Sequence, residues 1–215
     1  MAEQERAIRT RHAILMAAAK VFEEYGYEAA TIAEILSASG VTKGALYFHF
    51  RSKDDLAQGV LALQDQQLPV PVRRSKVQEL VDTVMLHAYR LRTDPLVRAG
   101  VRLSMEQHPS LNRSGPFLRW SEYCSELLRQ AQAQGELLPH VSPSETADVL
   151  VASFAGVQSM SQAVMDYQDL SSRASALLRH LLPGVVLASV VAHLDLSESR
   201  GALVHAETLI SADAG

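Results

Sequence analysis

The residue types best suited to act on another molecule lie together in one segment, VTKGALYFHFRSKDDL, which starts at Val41. Lys43 offers a cation to a base edge or a phosphate, and Tyr47 and His49 offer donors for phosphate oxygens. Gly44 leaves out a side chain, so that the backbone can come close to a groove. At 100° per residue, Lys43, Gly44 and Tyr47 share one flank of a helix. The segment is therefore predicted to contact double-stranded DNA.

A short core helix is the alternative interpretation of this segment. An interior glycine costs about 1 kcal/mol relative to alanine in a helix, and the aromatic run from Tyr47 to Phe50 points to all sides of it. A purely structural helix would leave Lys43, Gly44 and the aromatic run unexplained. We expect instead that Phe48 and Phe50 hold the helix at a fixed angle while one flank contacts DNA.

The sequence contains none of the motifs that assemble common catalytic or metal centres. It has no Gly-rich phosphate loop, no G-x-S-x-G or S-x-x-K motif, and no C-x-x-C or H-E-x-x-H metal spacing. Eight histidines are scattered, and adjacent acidic pairs such as Asp54 and Asp55 point in different directions along a helix. We predict that the protein is not an enzyme and needs no cofactor or metal.

Composition limits the class of protein further. The 215 residues are 47% apolar, enough for a sizeable core, yet no run approaches the roughly 18 uncharged apolar residues of a membrane span. The first residues, MAEQERAIRTR, lead into no secretory h-region, and the single Cys124 suits a reducing compartment as a filler on a helix. We therefore predict a cytoplasmic protein with no membrane partner.

The net charge of −4, taken by itself, argues against binding to nucleic acid. However, basic residues cluster near the first residues and around Lys43.

The elements that position the DNA-contacting segment are predicted to be helices. Apolar residues from Ile14 to Tyr25 follow the spacing of one amphipathic helix, and Gly26 before an apolar residue indicates a Schellman stop. Thr31 and Glu34 have capping-box spacing at the start of a short helix that ends at Gly40. With Thr42 and Ser52 as further N-caps, the pattern is typical of a helix-turn-helix.

The rest of the chain is also predicted to be helical, which makes the fold class all-α. An irregular connector, QQLPVPVRRS, is followed by helices at about 76–92, 95–106, 116–134, 144–166, 171–181, 184–194 and 197–210. The segment 144–166 has almost no charge through its middle, so its small residues Ala152, Ala155, Gly156 and Ser159 suit a dimer contact, while Phe154, Val157, Gln158 and Ser161 could line a cavity. The apolar segment 184–194 is a second candidate for either use.

The sequence TIAEILSASGVTKGALYFHFRSKDDLA resembles the DNA-binding signature of the TetR family of bacterial repressors over roughly residues 9–58. The resemblance implies a homodimer, with a helix-turn-helix DNA-binding domain in residues 1–58 and a larger helical ligand-binding and dimerisation domain in residues 59–215. It implies DNA contacts by Thr42, Lys43, Gly44, Tyr47, His49 and Lys53. We add Thr31 and Phe48 to this predicted set. An arm bearing Arg6, Arg9 and Arg11 is expected to reach the backbone or the minor groove.

A finer resemblance, in stretches that include VRAGVRLSMEQ, GPFLRWSEY and GELLPHV, is to the receptors for γ-butyrolactone signals, which control antibiotic production. It implies a small apolar lactone as ligand and Trp120 as a pocket residue, although a lone tryptophan is more often core or interface. Related regulators answer to butenolides or furans, or to no such signal. The other predicted pocket residues are Gln64, Val84, His87, Met105, Phe117, Phe154, Val157, Gln158 and Ser161.

Four of these pocket predictions have equally plain alternatives. Gln64 could lie on an exposed helix face, and Ser161 could hydrogen-bond to its own backbone. His87 and Met105 are fillers by default. A lactone-binding protein without a DNA function is a rival class, and the intact segment from Lys43 to His49 argues against it.

Overall fold

A computed structural model describes residues 2–64, 70–106 and 114–213 of the chain, and it confirms the all-α fold class. The described helices are α1 (Ala2–Ala29), α2 (Ile32–Ser39), α3 (Lys43–His49), α4 (Lys53–Gln64), α5 (Lys76–Thr93), α6 (Pro95–Met105), α7 (Ser114–Ala133), α8 (Pro143–Met165), α9 (Leu170–Leu181), α10 (Ala188–Val191) and α11 (Arg200–Asp213). No helix in the described ranges is long and apolar enough to cross a membrane.

The chain forms two compact units that do not follow a single cut in the sequence. The first contains Met1–Gln67 and Asp94–Pro116, and the second contains Leu68–Thr93 and Phe117–Gly215. Helix α6 therefore packs with the N-terminal helices, because its buried Leu96, Ala99 and Leu103 join their apolar core. The predicted division at residue 58 does not include this helix in the N-terminal domain.

The first unit is a helical bundle that carries the helix-turn-helix α2–α3. The predicted capping box is present: the Thr31 hydroxyl accepts from the Glu34 N–H at 3.2 Å, and the Glu34 carboxylate accepts from the Thr31 N–H at 2.8 Å. Gly40 ends α2 at φ 66°, a left-handed conformation that glycine adopts without strain. Leu46 and Phe50 then anchor α3 in the core.

The predicted Schellman stop at Gly26 is wrong in its geometry. Gly26 does break the helix, but at φ 77° and ψ 175° it is not in the left-handed helical conformation that this motif requires, and α1 resumes as far as Ala29. The Tyr27 N–H donates to the Glu106 carboxylate at 2.8 Å instead of to an α1 carbonyl. The Arg102 guanidinium of α6 donates to the Glu23 carbonyl. Side chains of α6 and of Glu106, the residue after it, therefore satisfy backbone groups of α1 on both sides of Gly26.

The second unit is built around α5, which packs against α9 and α11. A fully buried carboxylate, Asp82, is held there by two arginines: Arg200 donates two bonds of 2.7 Å to its two oxygens, and Arg73 donates one of 2.6 Å. Burying a carboxylate is costly unless it is paired and hydrogen-bonded. The predicted irregular connector is therefore tied to α5 and α11 through Arg73.

The predicted helix at 184–194 is wrong. Leu182–Gly184 form a 3-10 turn, Val186 makes an isolated antiparallel bridge with Leu137, and only Ala188–Val191 are helical. The Leu138 N–H donates to the Val185 carbonyl at 2.9 Å, which gives this backbone a partner outside any helix. Apolar composition alone could not distinguish this arrangement from a buried helix.

Gly201 yields a prediction about the stability of the second unit. A Cβ at this position would lie 2.1 Å from the Met85 carbonyl oxygen and 2.8 Å from the Tyr89 Cβ, so α11 could not keep its distance from α5. We expect Gly201→Ala to lower the free energy of unfolding by about 1–3 kcal/mol, as overpacking does in other cores, in a denaturant titration. Gly44→Ala is the matched control, because a Cβ there would meet nothing within 4 Å. Equal stability of Gly201→Ala and wild type would contradict the close approach of the two helices.

Candidate functional site

Helix α3 presents one buried and one exposed side, as the proposed DNA contact requires. Leu46 is buried on one side, whereas Lys43, Gly44 and Tyr47 are exposed on the other. The Thr42 hydroxyl caps the helix by accepting from the Ala45 N–H at 3.2 Å. Because one side is anchored and the other is in contact with solvent, the three predicted residues form one accessible flank.

Gly44 has no packing function inside the protein. A Cβ at this position would meet no atom within 4 Å, and the residue lies in regular helix. Glycine is unfavourable in a helix interior by about 1 kcal/mol relative to alanine. Because no packing contact inside the protein accounts for a glycine at this position, its presence supports a role outside the protein, such as close approach of another molecule to the α3 backbone.

Phe48 does not hold the helix in place, contrary to our prediction. Its side chain is 80% exposed, and its ring packs edge-on against His49 with 5.0 Å between ring centroids. Of the two phenylalanines, only Phe50, at 1% exposure, anchors the helix together with Leu46. An exposed phenylalanine on this flank can contact a thymine methyl group in a major groove, so its place in the predicted DNA-contacting set is compatible with the structure.

Lys53, one of the predicted DNA contacts, forms hydrogen bonds within the protein. Its ammonium group donates to the carbonyls of Tyr27, Glu28 and Ala30 at 2.7, 3.2 and 3.1 Å, and it lies 4.4 Å from the centroid of the Tyr27 ring. An ammonium group has three donors, so all of them are directed at the C-terminal end of α1. A cation is favourable there because the helix dipole is negative at that end.

The three N-terminal arginines lie on helix α1, which begins at Ala2, and do not form a separate arm as we predicted. Arg6, Arg9 and Arg11 are all exposed, and Arg9 forms an ion pair with Glu5 at 3.8 Å. The Arg11 guanidinium lies 5.1 Å from the centroid of Phe50, the residue that follows α3. The predicted basic residues are therefore presented from a helix, with Arg11 beside the end of α3.

The other predicted contacts near this flank are partly engaged. The Thr31 hydroxyl donates to the Glu34 carboxylate at 2.8 Å, so its hydrogen is used in the cap of α2. His49 is half-buried between its aromatic neighbours. The accessible part of the predicted set is thus Thr42, Lys43, Gly44, Tyr47 and Phe48.

In the second unit, three predicted pocket residues from three helices form an aromatic cluster. The His87 ring from α5 lies 4.5 Å from the Trp120 ring of α7 and 5.6 Å from the Phe154 ring of α8, measured between centroids. Val84 is buried one turn before His87, and Phe117 is half-buried one turn before Trp120. We call His87, Trp120 and Phe154 the aromatic cluster.

The polar pocket residues predicted on α8 differ in the hydrogen bonds that their side chains make. Gln158 is buried one turn after Phe154, and its side chain makes no hydrogen bond to a described residue. Ser161 is also buried, but its hydroxyl donates its hydrogen to the Asp169 carboxylate at 2.5 Å and not to the backbone of its own helix. Val157 is half-buried. Gln158 is therefore the α8 residue with unused hydrogen-bonding capacity.

Two predicted pocket residues lie in the first unit. Met105 is the last residue of α6 and is 48% exposed, which gives no support to its assignment to the pocket. Gln64 is the last residue of α4, and its side chain lies outside the described residues. The aromatic cluster is thus formed without either of them.

Sequence reasoning did not find the residues of α6 that hold the end of α1. Besides the bonds from Arg102 and Glu106, the Arg98 guanidinium forms an ion pair with Glu23. The available signal was the spacing of Arg98, Arg102 and Glu106, which recur every four residues on one face of α6. This spacing could indicate a polar helix face, but it could not identify α1 as its partner.

Burial sets the protonation of two groups in the second unit. The pKa of His87 is lowered to about 3, first by burial and second by the positive charge of Arg90, so its imidazole is neutral at physiological pH. Burial raises the pKa of the Cys124 thiol to about 12, which fits the predicted filler role.

The described residues contain no cluster of potential metal ligands. A separate open groove of about 910 Å³ is lined by residues such as Arg73, Glu136 and His193 and by none of the aromatic cluster.

The pKa of His87 yields a prediction about pH and stability. Between its ordinary value of 6.5 and about 3, His87 is protonated in the unfolded chain but not in the folded protein. The unfolded state then binds more protons, so the free energy of unfolding should fall as the pH drops below 6.5, by about 2 kcal/mol between pH 7 and pH 5. Denaturant titrations should show a smaller loss for His87→Phe, which keeps a ring but cannot be protonated.

The control for this experiment is His180→Gln, because His180 is exposed on α9 of the same unit. We expect it to keep the pH dependence of wild type. An unchanged pH dependence in His87→Phe would show that the His87 imidazole is protonated in the folded protein as readily as in the unfolded chain.

Comparison with known proteins identifies the family. A profile of the tetR family of bacterial regulatory proteins matches residues 14–60. The A-factor receptor protein of Streptomyces griseus is 40% identical over 194 residues, which are 90% of this chain and 70% of that protein. TylP, a TetR regulator from Streptomyces fradiae, has a TM-score of 0.87 and 45% identity, covering 94% of this chain and 99% of its own.

A solved γ-butyrolactone receptor described as ArpA-like gives a TM-score of 0.71 and 29% identity, covering 94% of this chain and 98% of its own. These relatives match nearly the whole chain, so they extend the similarity well beyond the helix-turn-helix. The chain belongs to the TetR family of DNA-binding bacterial regulators, in the subgroup whose relatives include the A-factor receptor and the γ-butyrolactone receptors.

Proposed function

We propose that this protein is a ligand-responsive repressor in the cytoplasm, which binds palindromic operators as a homodimer and is released by a small diffusible γ-butyrolactone or butenolide that controls antibiotic production. The observation that carries the DNA-binding part is the accessible flank of α3. Lys43 and Tyr47 are exposed beside a glycine without an internal function, on a helix anchored by Phe50. A cation, a phosphate donor and an open backbone are the features that major-groove contact needs.

Exposed apolar stripes in the second unit support the homodimer. On α8, Val149, Ala152, Gly156, Met160 and Val164 are exposed at intervals of three or four residues. Exposed apolar residues follow the same spacing on α11, at Leu203, Ala206 and Ile210. Such stripes favour burial against another surface, and a second copy of this chain offers the same stripes. In this proposal α11 takes the interface role that we had considered for 184–194.

The operator geometry follows from two-fold symmetry. The α3 helices of the two protomers must enter successive major grooves about 34–36 Å apart. The operator is therefore expected to be an imperfect palindrome. A ligand that binds better to a conformation with a different spacing would release the dimer. To move the population from 1:99 to 99:1, the ligand must prefer that conformation by about 10⁴-fold.

The aromatic cluster supports the ligand-binding part of the proposal. Trp120 is half-buried beside His87, so part of the residue is accessible to another molecule. Apolar and aromatic side chains with a few polar groups are the usual lining of a small-molecule site. The names of the relatives indicate lactone signals for those proteins, and we extend this ligand class to the present chain.

Substitutions on α3 test the DNA-binding part. Lys43→Ala should weaken specific operator binding by about 1–3 kcal/mol and relax the preference at one base pair per half-site. Tyr47→Phe should weaken binding to all sequences alike, because a phosphate contact carries no sequence information. Both are measured by gel shift with an operator library, starting from DNA upstream of the protein's own gene. Equal affinity of Lys43→Ala and wild type across the library would remove Lys43 from the DNA contacts.

Gly44 provides a steric test on the same flank. Gly44→Val should abolish operator binding, because its side chain would occupy the space that the DNA backbone or base edges need. The fold should be retained, since no protein atom lies within 4 Å of a Cβ at this position, and circular dichroism checks this. Normal operator binding by a folded Gly44→Val protein would refute the close approach.

Trp120→Ala separates ligand sensing from DNA binding. Loss of the aromatic contact should reduce affinity for an added γ-butyrolactone by about 2 kcal/mol, roughly thirtyfold, while operator affinity stays unchanged. The variant would then remain on its operator when the signal is added. Leu118→Ala, at an exposed position on the same helix, is the control and should respond like wild type. Release of Trp120→Ala at the wild-type signal concentration would place the ligand elsewhere.

A further inference from the structure

Two polar side chains, that of Gln158 and that of His87 in the aromatic cluster, lack hydrogen-bond partners among the described residues. Gln158 is only 6% exposed, and neither its side chain nor that of His87 makes a hydrogen bond to any part of the chain that the structure describes. Roughly 90% or more of buried polar groups in proteins have a partner. A buried primary amide without one costs about 1–3 kcal/mol, so a water molecule or a bound ligand must supply the missing bonds.

The two groups come from different helices that meet at the cluster. Gln158 follows Phe154 by four residues on α8, so both are on one helix face, and both are buried. The Phe154 ring is 5.6 Å from the ring of His87, which projects from α5. The unused hydrogen-bonding capacity is therefore located next to apolar rings, where a ligand with an apolar chain and a small polar head would place its head.

The chemistry of this polar end favours an uncharged head group. The amide of Gln158 offers donors and an acceptor, and the His87 imidazole, whose pKa is lowered to about 3, offers one donor and one acceptor but no positive charge. Arg90, one turn after His87, carries a charge that acts on His87, but it also has another interaction within the protein. A carboxylate bound here would lose its hydration without gaining a counter-ion from these two side chains, which is far more costly than burying a neutral carbonyl.

We propose that Gln158 and His87 form the head-group site of the ligand pocket, and that they select a closed, uncharged lactone over its ring-opened hydroxy acid. Gln158 donates to the ring carbonyl, and the aromatic cluster contacts the ring and its chain. The inference rests on the proposed lactone-binding function and adds that hydrolysis of the ring by any lactonase would end the response.

Three small molecules with the same six-carbon chain test this selectivity by direct binding to the full-length protein. They are γ-decalactone, 2-hexyltetrahydrofuran, which lacks only the carbonyl, and sodium 4-hydroxydecanoate, the ring-opened form. Titration against Trp120 fluorescence or calorimetry should show at least tenfold tighter binding of γ-decalactone than of the other two. Equal binding of the lactone and the hydroxy acid, or no binding of the lactone, would overturn the proposal.

The variant Gln158→Met assigns the selectivity to this residue. It should bind γ-decalactone no better than 2-hexyltetrahydrofuran, because the carbonyl loses its donor. Gln162→Met, at an exposed position one turn later on α8, is the matched control and should keep the wild-type preference. A preference for the lactone that persists in Gln158→Met would overturn the role of Gln158.

Thermal unfolding distinguishes a ligand-binding role from a structural one. Without ligand, Gln158→Met should melt at the same temperature as wild type or higher, since it removes a buried amide without partners. With γ-decalactone, wild type should show a rise in melting temperature that the variant lacks. A lower melting temperature of the ligand-free variant would show that Gln158 supports the fold instead. Neither readout involves DNA, so failure here is distinguishable from failure of operator binding.

Discussion

The burial of Phe50 determines how α3 is oriented, and the surface proposed for DNA contact depends on that orientation. A Cβ on Gly59 of α4 would lie 3.2 Å from Phe50 Cε1 and 2.7 Å from Leu15 Cδ2 of α1. Three helices therefore meet without room for one more methyl group. Rotation of α3 about its axis would expose Phe50 and lose the contacts that close packing provides, so the exposed flank with Lys43 is held in one direction.

Cations at the end of α1 complete the first unit. Lys53 from α4 donates to three carbonyls near Tyr27, and Arg102 from α6 donates to carbonyls on the other side of Gly26. The last carbonyls of a helix have no partner within it, and the helix dipole is negative there. Side chains from α4 and α6 thus satisfy the carbonyls on both sides of the break at Gly26, and the first unit is joined by polar contacts as well as by its apolar core.

In the second unit, the buried ion pairs and the aromatic cluster are formed by different side chains. Its buried carboxylate, Asp82, is neutralised by Arg73 and Arg200 within hydrogen-bonding distance. The aromatic cluster, by contrast, has a histidine whose charged form is suppressed by burial. A paired buried charge supports the arrangement of α5, α11 and the connector, whereas the uncharged rings of the aromatic cluster suit contact with an apolar ligand.

The sequence by itself determined the all-α class, the capping box at Thr31, the accessible Lys43 flank and the family, because these depend on local spacing and on residue types within a few turns. It also identified His87, Trp120 and Phe154 individually as pocket candidates. Only the tertiary structure decided that these three rings meet, that Lys53 caps α1, that Phe48 is exposed, and that 184–194 pairs with Leu137. The physical reason is that a side chain's partner can lie tens of residues away, and helical periodicity gives the face on which a residue lies but not which element packs against that face.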